Sequence, residues 1–154
     1  MIIVGITGWK NAGKTTLTER LVAHFTQRGL KVATVKHAHH AFDIDHEGTD
    51  SWRHRKAGAQ EVAIVSANRW AIMHELESEK EPPLQEVLSR LSPCDLVIVE
   101  GYKREGHDKI EVRRNDSAEM LSPRDKSIIA IASDTAILDK SLPGFHLDDI
   151  AAIA

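Results

Sequence analysis

Gly8-Trp9-Lys10-Asn11-Ala12-Gly13-Lys14-Thr15 follows directly on the apolar run Ile2-Ile3-Val4-Gly5-Ile6-Thr7 and leads into Thr16-Leu17-Thr18-Glu19-Arg20-Leu21. A Gly-x-x-x-x-Gly-Lys-Thr motif between a strand pattern and a helix pattern is the sequence of a phosphate cradle. Its two glycines reach backbone conformations that a Cβ blocks, so consecutive N–H groups can turn onto one anion. The first turn of the helix adds unpaired N–H groups and the positive end of its dipole. Lys14 then reaches the terminal phosphates, and the Thr15 hydroxyl ligates Mg²⁺. Gly8 through Thr16 is therefore predicted to hold a nucleoside triphosphate. An ordinary strand-to-helix turn is the alternative, and both flanks weigh against it.

A second loaded stretch is Asp95-Leu96-Val97-Ile98-Val99-Glu100-Gly101. Four consecutive apolar residues fit a central parallel strand buried on both faces. The strand ends in a carboxylate, which in P-loop proteins sits across from the lysine and holds Mg²⁺ directly or through water. Glu100 is also a candidate for polarising an attacking water. A third cluster is His37, His39, His40 and His46 with Asp43 and Asp45. It has the composition of a metal site, but its loop spacing is not specific, and solvated loop residues are the alternative. Asp45 is taken from it as a candidate Mg²⁺ or water contact. Arg55 and Lys56 suit an anionic substrate or a partner equally as well as a solvated helix face. Lys103 and Arg114 add positive charge at the mouth of the site, whereas Trp70 reads as core or dimer surface.

These groups need a scaffold. Leu17, Leu21 and Phe25 recur at helical spacing, Gly29 stops that helix, and Lys31–Lys36 reads as a second strand. Strand, helix and strand in so short a span imply a right-handed parallel crossover, with the phosphate loop at the carboxyl edge of the sheet. The connection 37–49 is far longer than the ~2–6 residues usual in α/β units. A short helix is predicted from Asp50 or Ser51, one of which would cap it, to Ala57. Glu61–Ser66 and Arg69–His74 predict an antiparallel hairpin added to the sheet. Pro82-Pro83 starts another one-sided helix. Strands are predicted at 109–114 and 127–132, with a short terminal helix capped by Asp148 or Asp149. The expected fold is α/β: a three-layer P-loop NTPase, with a mostly parallel sheet, helices on both faces and a β-hairpin addition, forming one domain over 1–154.

Composition narrows the function classes. The chain has 154 residues, of which 28% are charged, and a net charge of −3, so nothing pulls it globally toward nucleic acid or membrane. The single Cys94 excludes an internal disulfide and a cysteine-built zinc site. No stretch approaches the ~18 apolar residues of a membrane span, and residues 1–8 enter the fold at once. A soluble, cytoplasmic setting is the expectation.

In chain order, the motifs form a recognisable set. They are Gly-x-x-x-x-Gly-Lys-Thr-Thr-Leu at 8–17, Lys36-His37-x-His39-His40, and Asp43-x-Asp45 with Gly48-x-Asp50-Ser51. Arg55-Lys56-Ala57-Gly58-Ala59, Arg69-Trp70-Ala71, Val99-Glu100-Gly101-Tyr102-Lys103 and Ala132-Ser133-Asp134 complete it. From residue 2 to residue 134 the chain resembles the MobB family, GTP-binding adapters of molybdopterin-guanine dinucleotide biosynthesis. The resemblance implies a P-loop fold, a homodimer, and GTP bound with Mg²⁺ and hydrolysed poorly. It also implies assistance to the partner enzyme MobA, which joins GMP to molybdopterin, and makes molybdopterin itself a candidate ligand. His37, His39, His40, Asp50, Arg55, Lys56 and Lys103 become candidate substrate or partner contacts.

Two departures matter. Lys10 stands third in the loop, where related deviant P-loop ATPases carry their lysine second, so no role across a dimer is assigned to it. No Asn-Lys-x-Asp guanine motif is present. Asp134, at the end of a strand, is the candidate acceptor for guanine N1 and N2. No residue is identified as an arginine finger, so at most a slow GTPase is expected. The competing readings are a P-loop small-molecule kinase, with Arg53, Arg55 and Lys103 on the acceptor, and a metallochaperone-type GTPase built on the histidines.

Overall fold

The computed structural model describes residues 1–38, 42–76, 80–114, 119–136 and 141–154. In chain order the elements are β1 (Ile2–Thr7), α1 (Lys14–Gln27), β2 (Val32–Lys36), α2 (Asp50–Lys56), β3 (Glu61–Val65) and β4 (Trp70–His74). They continue with α3 (Leu84–Ser89), β5 (Leu96–Glu100), β6 (Lys109–Arg113), β7 (Ile128–Ser133), β8 (Gly144–His146) and α4 (Ile150–Ile153). The chain divides into two compact units, Met1–His37 with Leu84–Ala154, and Ala38–Pro83. Among the described residues, no helix is long and apolar enough to cross a membrane.

The first unit is a six-stranded sheet in the order β2-β5-β1-β6-β7-β8, with every neighbouring pair parallel. Its layers follow from the alternation along β5. Leu96 and Ile98 face Leu17 and Leu21 of α1, together with Ile6, Ile110 and Val112. Val97 and Val99 point the other way, onto Leu84 and Leu88 of α3. Ile150 and Ile153 of α4 pack on the α1 side. Helices therefore cover both faces, as the continuous apolar run of β5 requires. Each such side chain taken out of water stabilises the unit by about 1.5–3 kcal/mol. β8, only three residues long, was not foreseen, because so short a run carries no readable alternation.

The second unit holds α2 and the hairpin. β3 and β4 pair antiparallel from Glu61↔His74 to Val65↔Trp70. The expectation that this hairpin joins the main sheet is corrected: it forms its own two-stranded sheet. Its apolar residues fall on both faces, so the period could show a hairpin but not which sheet it belonged to. Trp70 is 66% exposed and is not core. The cap of α2 is Thr49, not Asp50 or Ser51, because Thr49 is extended and its hydroxyl accepts the Trp52 N–H at 3.3 Å.

Candidate functional site

β1 lies between β5 on one side and β6 on the other. The carboxyl edge of these three strands brings the phosphate loop, Glu100 and Arg114 together. The loop ends at Gly13, the N-cap of α1, whose φ of 99° is a left-handed conformation that favours glycine. Among the described residues, no side chain caps the helix there, which leaves its first N–H groups to an anion. Lys14 folds back over the loop, and its Nζ donates to the Trp9 carbonyl at 2.7 Å. Burial, and then the charge of Lys103, hold the Lys14 ammonium below the usual lysine range. Glu100 opposes that shift and Lys36 adds to it. Lys14 thus sits in a positive field that an anionic ligand would relieve.

On the β5 flank, the Thr15 hydroxyl lies 3.1 Å from each Glu100 carboxylate oxygen. Oxygen donors of this kind fit a hard cation such as Mg²⁺. Lys36, opposite Glu100 in the β2–β5 register, places its Nζ 3.8 Å from Oε1. The His37 N–H donates to the Glu100 carbonyl at 2.8 Å, tying the ends of the two strands. Gly101 is required just beyond. A Cβ there would come within 2.6 Å of the His37 Cβ, and φ is +103°. The His37 ring lies against Tyr102 with centroids 4.7 Å apart. Lys103 follows, its Nζ 5.6 Å over the Trp9 ring, close enough for a cation–π contact.

On the β6 flank, a cavity of about 310 Å³ is lined by Asn11, Gly13, Lys14, Thr15, Thr16 and Arg114. Sequence reasoning placed Arg114 only at the mouth; the structure puts it in the wall. Two further residues were missed. Lys109 and Glu111 alternate with apolar residues along β6, a pattern that reads as a solvated face, yet both are fully buried. Glu111 accepts the N–H groups of Leu121 and Ser122 at 2.8 and 2.9 Å. Lys109 donates to Asp125 and Ser127. The segment they anchor offers the Glu119 carbonyl to the Trp9 indole N–H at 2.7 Å. The phosphate loop is therefore tied, through Trp9, to a strap fixed by a buried carboxylate.

The candidates in the second unit make a different constellation. Arg55 donates to both oxygens of Asp43 and to Glu75, and its Nε is 3.6 Å from Asp45. The Arg55 hydrogen bond holds Asp43 below the usual carboxylate range. Burial pushes Asp45 up, but hydrogen bonds from Thr49, Ser51 and the His46 N–H prevail and lower it. Arg55 is pushed up by Glu75 and Asp43. Asp45 thus serves the turn before α2. Asp50 lies 4.0 Å from Arg53, and Lys56 sits over Trp52 at 5.6 Å. His39 and His40 lie outside the described residues. Among the described residues, no group of three or more His, Cys, Asp or Glu side chains could hold a metal ion. Asp134 is exposed just past β7.

Comparison with known proteins shows the family and the fold. A family model described as "Molybdopterin guanine dinucleotide synthesis protein B" (MobB) matches residues 3–134. A molybdopterin-guanine dinucleotide biosynthesis adapter protein of Escherichia coli is 36% identical, covering 99% of this chain and 89% of that one. Its Haemophilus influenzae counterpart is also 36% identical, covering 91% of this chain and 79% of that one. A crystal structure of molybdopterin-guanine biosynthesis protein B superposes with a TM-score of 0.78 at 30% identity, covering 99% of this chain and 94% of that one. The Bacillus subtilis MobB crystal structure gives a TM-score of 0.79 at 26% identity, with the same coverage.

Proposed function

Because the chain belongs to the MobB family, we propose that it is a GTP-binding adapter in molybdopterin-guanine dinucleotide biosynthesis. The observation that carries this reading is the Thr15 hydroxyl held 3.1 Å from both Glu100 oxygens, beside a lysine on a glycine loop. Lys14 and the loop N–H groups bind the β- and γ-phosphates, while Thr15 and Glu100 hold Mg²⁺. Bound there, Mg²⁺ neutralises phosphate charge. Asp134 accepts hydrogen bonds from the guanine base. Hydrolysis is slow, below the ~1 s⁻¹ lower end of efficient phosphoryl-transfer enzymes. The partner is a MobA-type guanylyltransferase of the cytoplasm, which joins GMP to molybdopterin. The kinase and metallochaperone readings gain no support from the relatives.

The adapter works as a homodimer. Val65, Trp70 and Ile72 fall on one face of the hairpin by register and are 75%, 66% and 56% exposed. A contiguous apolar strip of this kind suits a second copy of the chain.

Titration calorimetry with GTP, ATP and molybdopterin, with and without Mg²⁺, tests the nucleotide assignment. GTP is expected to bind with Mg²⁺ dependence and to outcompete ATP. Addition of the chain to a guanylyltransferase reaction is expected to raise the yield of dinucleotide. Tighter binding of ATP, together with consumption that rises steeply with a small-molecule acceptor, would replace the adapter with a kinase.

A further inference from the structure

Resting on the nucleotide-binding reading, we infer that Arg114 is an arginine supplied in cis to the α- and β-phosphates, on the flank of the loop opposite the metal. Two observations fix its side. Arg114 directly follows β6, and its Nε lies 3.1 Å from where a Cβ on Gly13 would stand. Glu100 ends β5, on the other side of β1, and holds the Thr15 hydroxyl. The Thr15 hydroxyl and its acidic partner Glu100 would hold Mg²⁺, which would neutralise charge at the terminal phosphates. The cavity lined by Asn11, Gly13, Lys14, Thr15, Thr16 and Arg114 thus runs from Thr15 to the β6 flank, where Arg114 would meet the α/β end of the chain of phosphates.

Among the described residues, Arg114 is exposed and has no hydrogen-bond partner, and its charge adds only the weakest of the pulls that lower the Asp148 carboxyl. A planar fork of donors is suited to two phosphate oxygens at once, which a lysine cannot match. The room at Gly13 matters here too. A Cβ at that position would stand 3.1 Å from the Arg114 Nε, so the guanidinium would have to give by a few tenths of an ångström.

The experiment compares wild type, Arg114→Ala and Arg114→Lys for binding of a fluorescent N-methylanthraniloyl-GDP, then of unlabelled GDP and GTP by competition. Each series is run with Mg²⁺ and with EDTA. Arg114→Ala is expected to weaken GDP and GTP by the same factor, about ten- to a hundredfold, whether or not Mg²⁺ is present. Arg114→Lys is expected to recover only part of the loss. Single-turnover hydrolysis at a fixed, subsaturating GTP concentration is expected to fall by the same factor as the affinity. Unchanged GDP affinity with a hydrolysis rate reduced by a hundredfold or more would overturn the inference and move Arg114 to the γ-phosphate. Unchanged affinity and unchanged rate would make it a bystander, leaving the nucleotide reading intact. Failure of the wild type to bind any guanine nucleotide would overturn both. Thermal unfolding of the variants is expected to match wild type, since the side chain is exposed.

Discussion

Glu111 offers the sharpest test of how the fold supports the phosphate loop. Its carboxylate is fully buried and accepts two main-chain N–H groups, from Leu121 and Ser122. Hydrogen bonds to a charged acceptor contribute about 1.5–3 kcal/mol each. Glu111→Gln keeps one carbonyl oxygen but turns an NH₂ toward the second N–H, so one charge-assisted bond is lost and the other weakened. The expected cost is about 2–3 kcal/mol, and for a chain of this length each kcal/mol lowers Tm by about 2–4 °C. A fall of about 4–12 °C in thermal unfolding, followed by circular dichroism at pH 7, is therefore expected. Glu111→Ala leaves both donors unsatisfied and should fall further. The loss should be felt at the loop, because Glu119, two residues before Leu121, holds the Trp9 indole. In a Trp52→Phe, Trp70→Phe background, Trp9 emission should shift to the red. A Tm change under 1 °C with unaltered Trp9 emission would refute the strap.

Three further outcomes follow from the same geometry. Lys14→Ala should abolish nucleotide binding while preserving the unfolding transition, and in wild type GTP should raise the depressed Lys14 pKa. Binding should then take up a proton and weaken as pH rises through the free-state pKa, which calorimetry in buffers of different ionisation enthalpy detects; proton release would contradict this. Arg55→Met should loosen residues 42–56 in hydrogen exchange. Because Asp43 and Asp45 are depressed in the folded state, their contribution is present above about pH 3.9, the ordinary aspartate value. It fades as pH falls through their folded values, so variant and wild type should converge in acid, and a gap constant to pH 2 would contradict it. Trp70→Ser should shift sedimentation from dimer toward monomer without lowering GTP affinity, and an unchanged dimer would exclude the hairpin face.

The parts of the site written locally in the chain were the legible ones. Gly13, Lys14 and Thr15 are fixed by one motif, and Glu100 by the apolar run before it. Both the three-layer core and the single-sided helices follow from periodicity. What stayed hidden depends on strand order. Lys103 and Arg114 looked alike as cations after strands, yet one lies over Trp9 and the other lines the cavity beside Gly13. Only the placement of β6 next to β1 separates them, and no local pattern encodes that neighbour. Lys109 and Glu111 went unnoticed for the opposite reason. Alternating charge says "solvent" until partners such as Asp125 and the Leu121 N–H exist to receive it. Trp70 belonged to a hairpin whose two faces are both apolar, so the sequence could not say which one faced outward.

The layout of charge bears on why such a site would bind better than it turns over. Around a chain of net charge −3, the loop gathers Lys14, Lys36, Lys103 and Arg114 against one carboxylate, Glu100. Charges within about 8–10 Å of a ligand act on it almost unscreened, so this local field outweighs the global sign. Its distribution decides what it does. On the inference above, Arg114 would grip phosphates present before and after cleavage, and Lys36 is drawn to Glu100 at 3.8 Å. Interactions equal in ground and transition states lower the dissociation constant without raising the rate. Rate enhancement needs a cation that meets the γ-phosphoryl only as charge develops, and an arginine in that role contributes about 10³–10⁵. On the inference that Arg114 serves the α/β end, the site would hold guanine nucleotide rather than consume it, which is the behaviour an adapter needs.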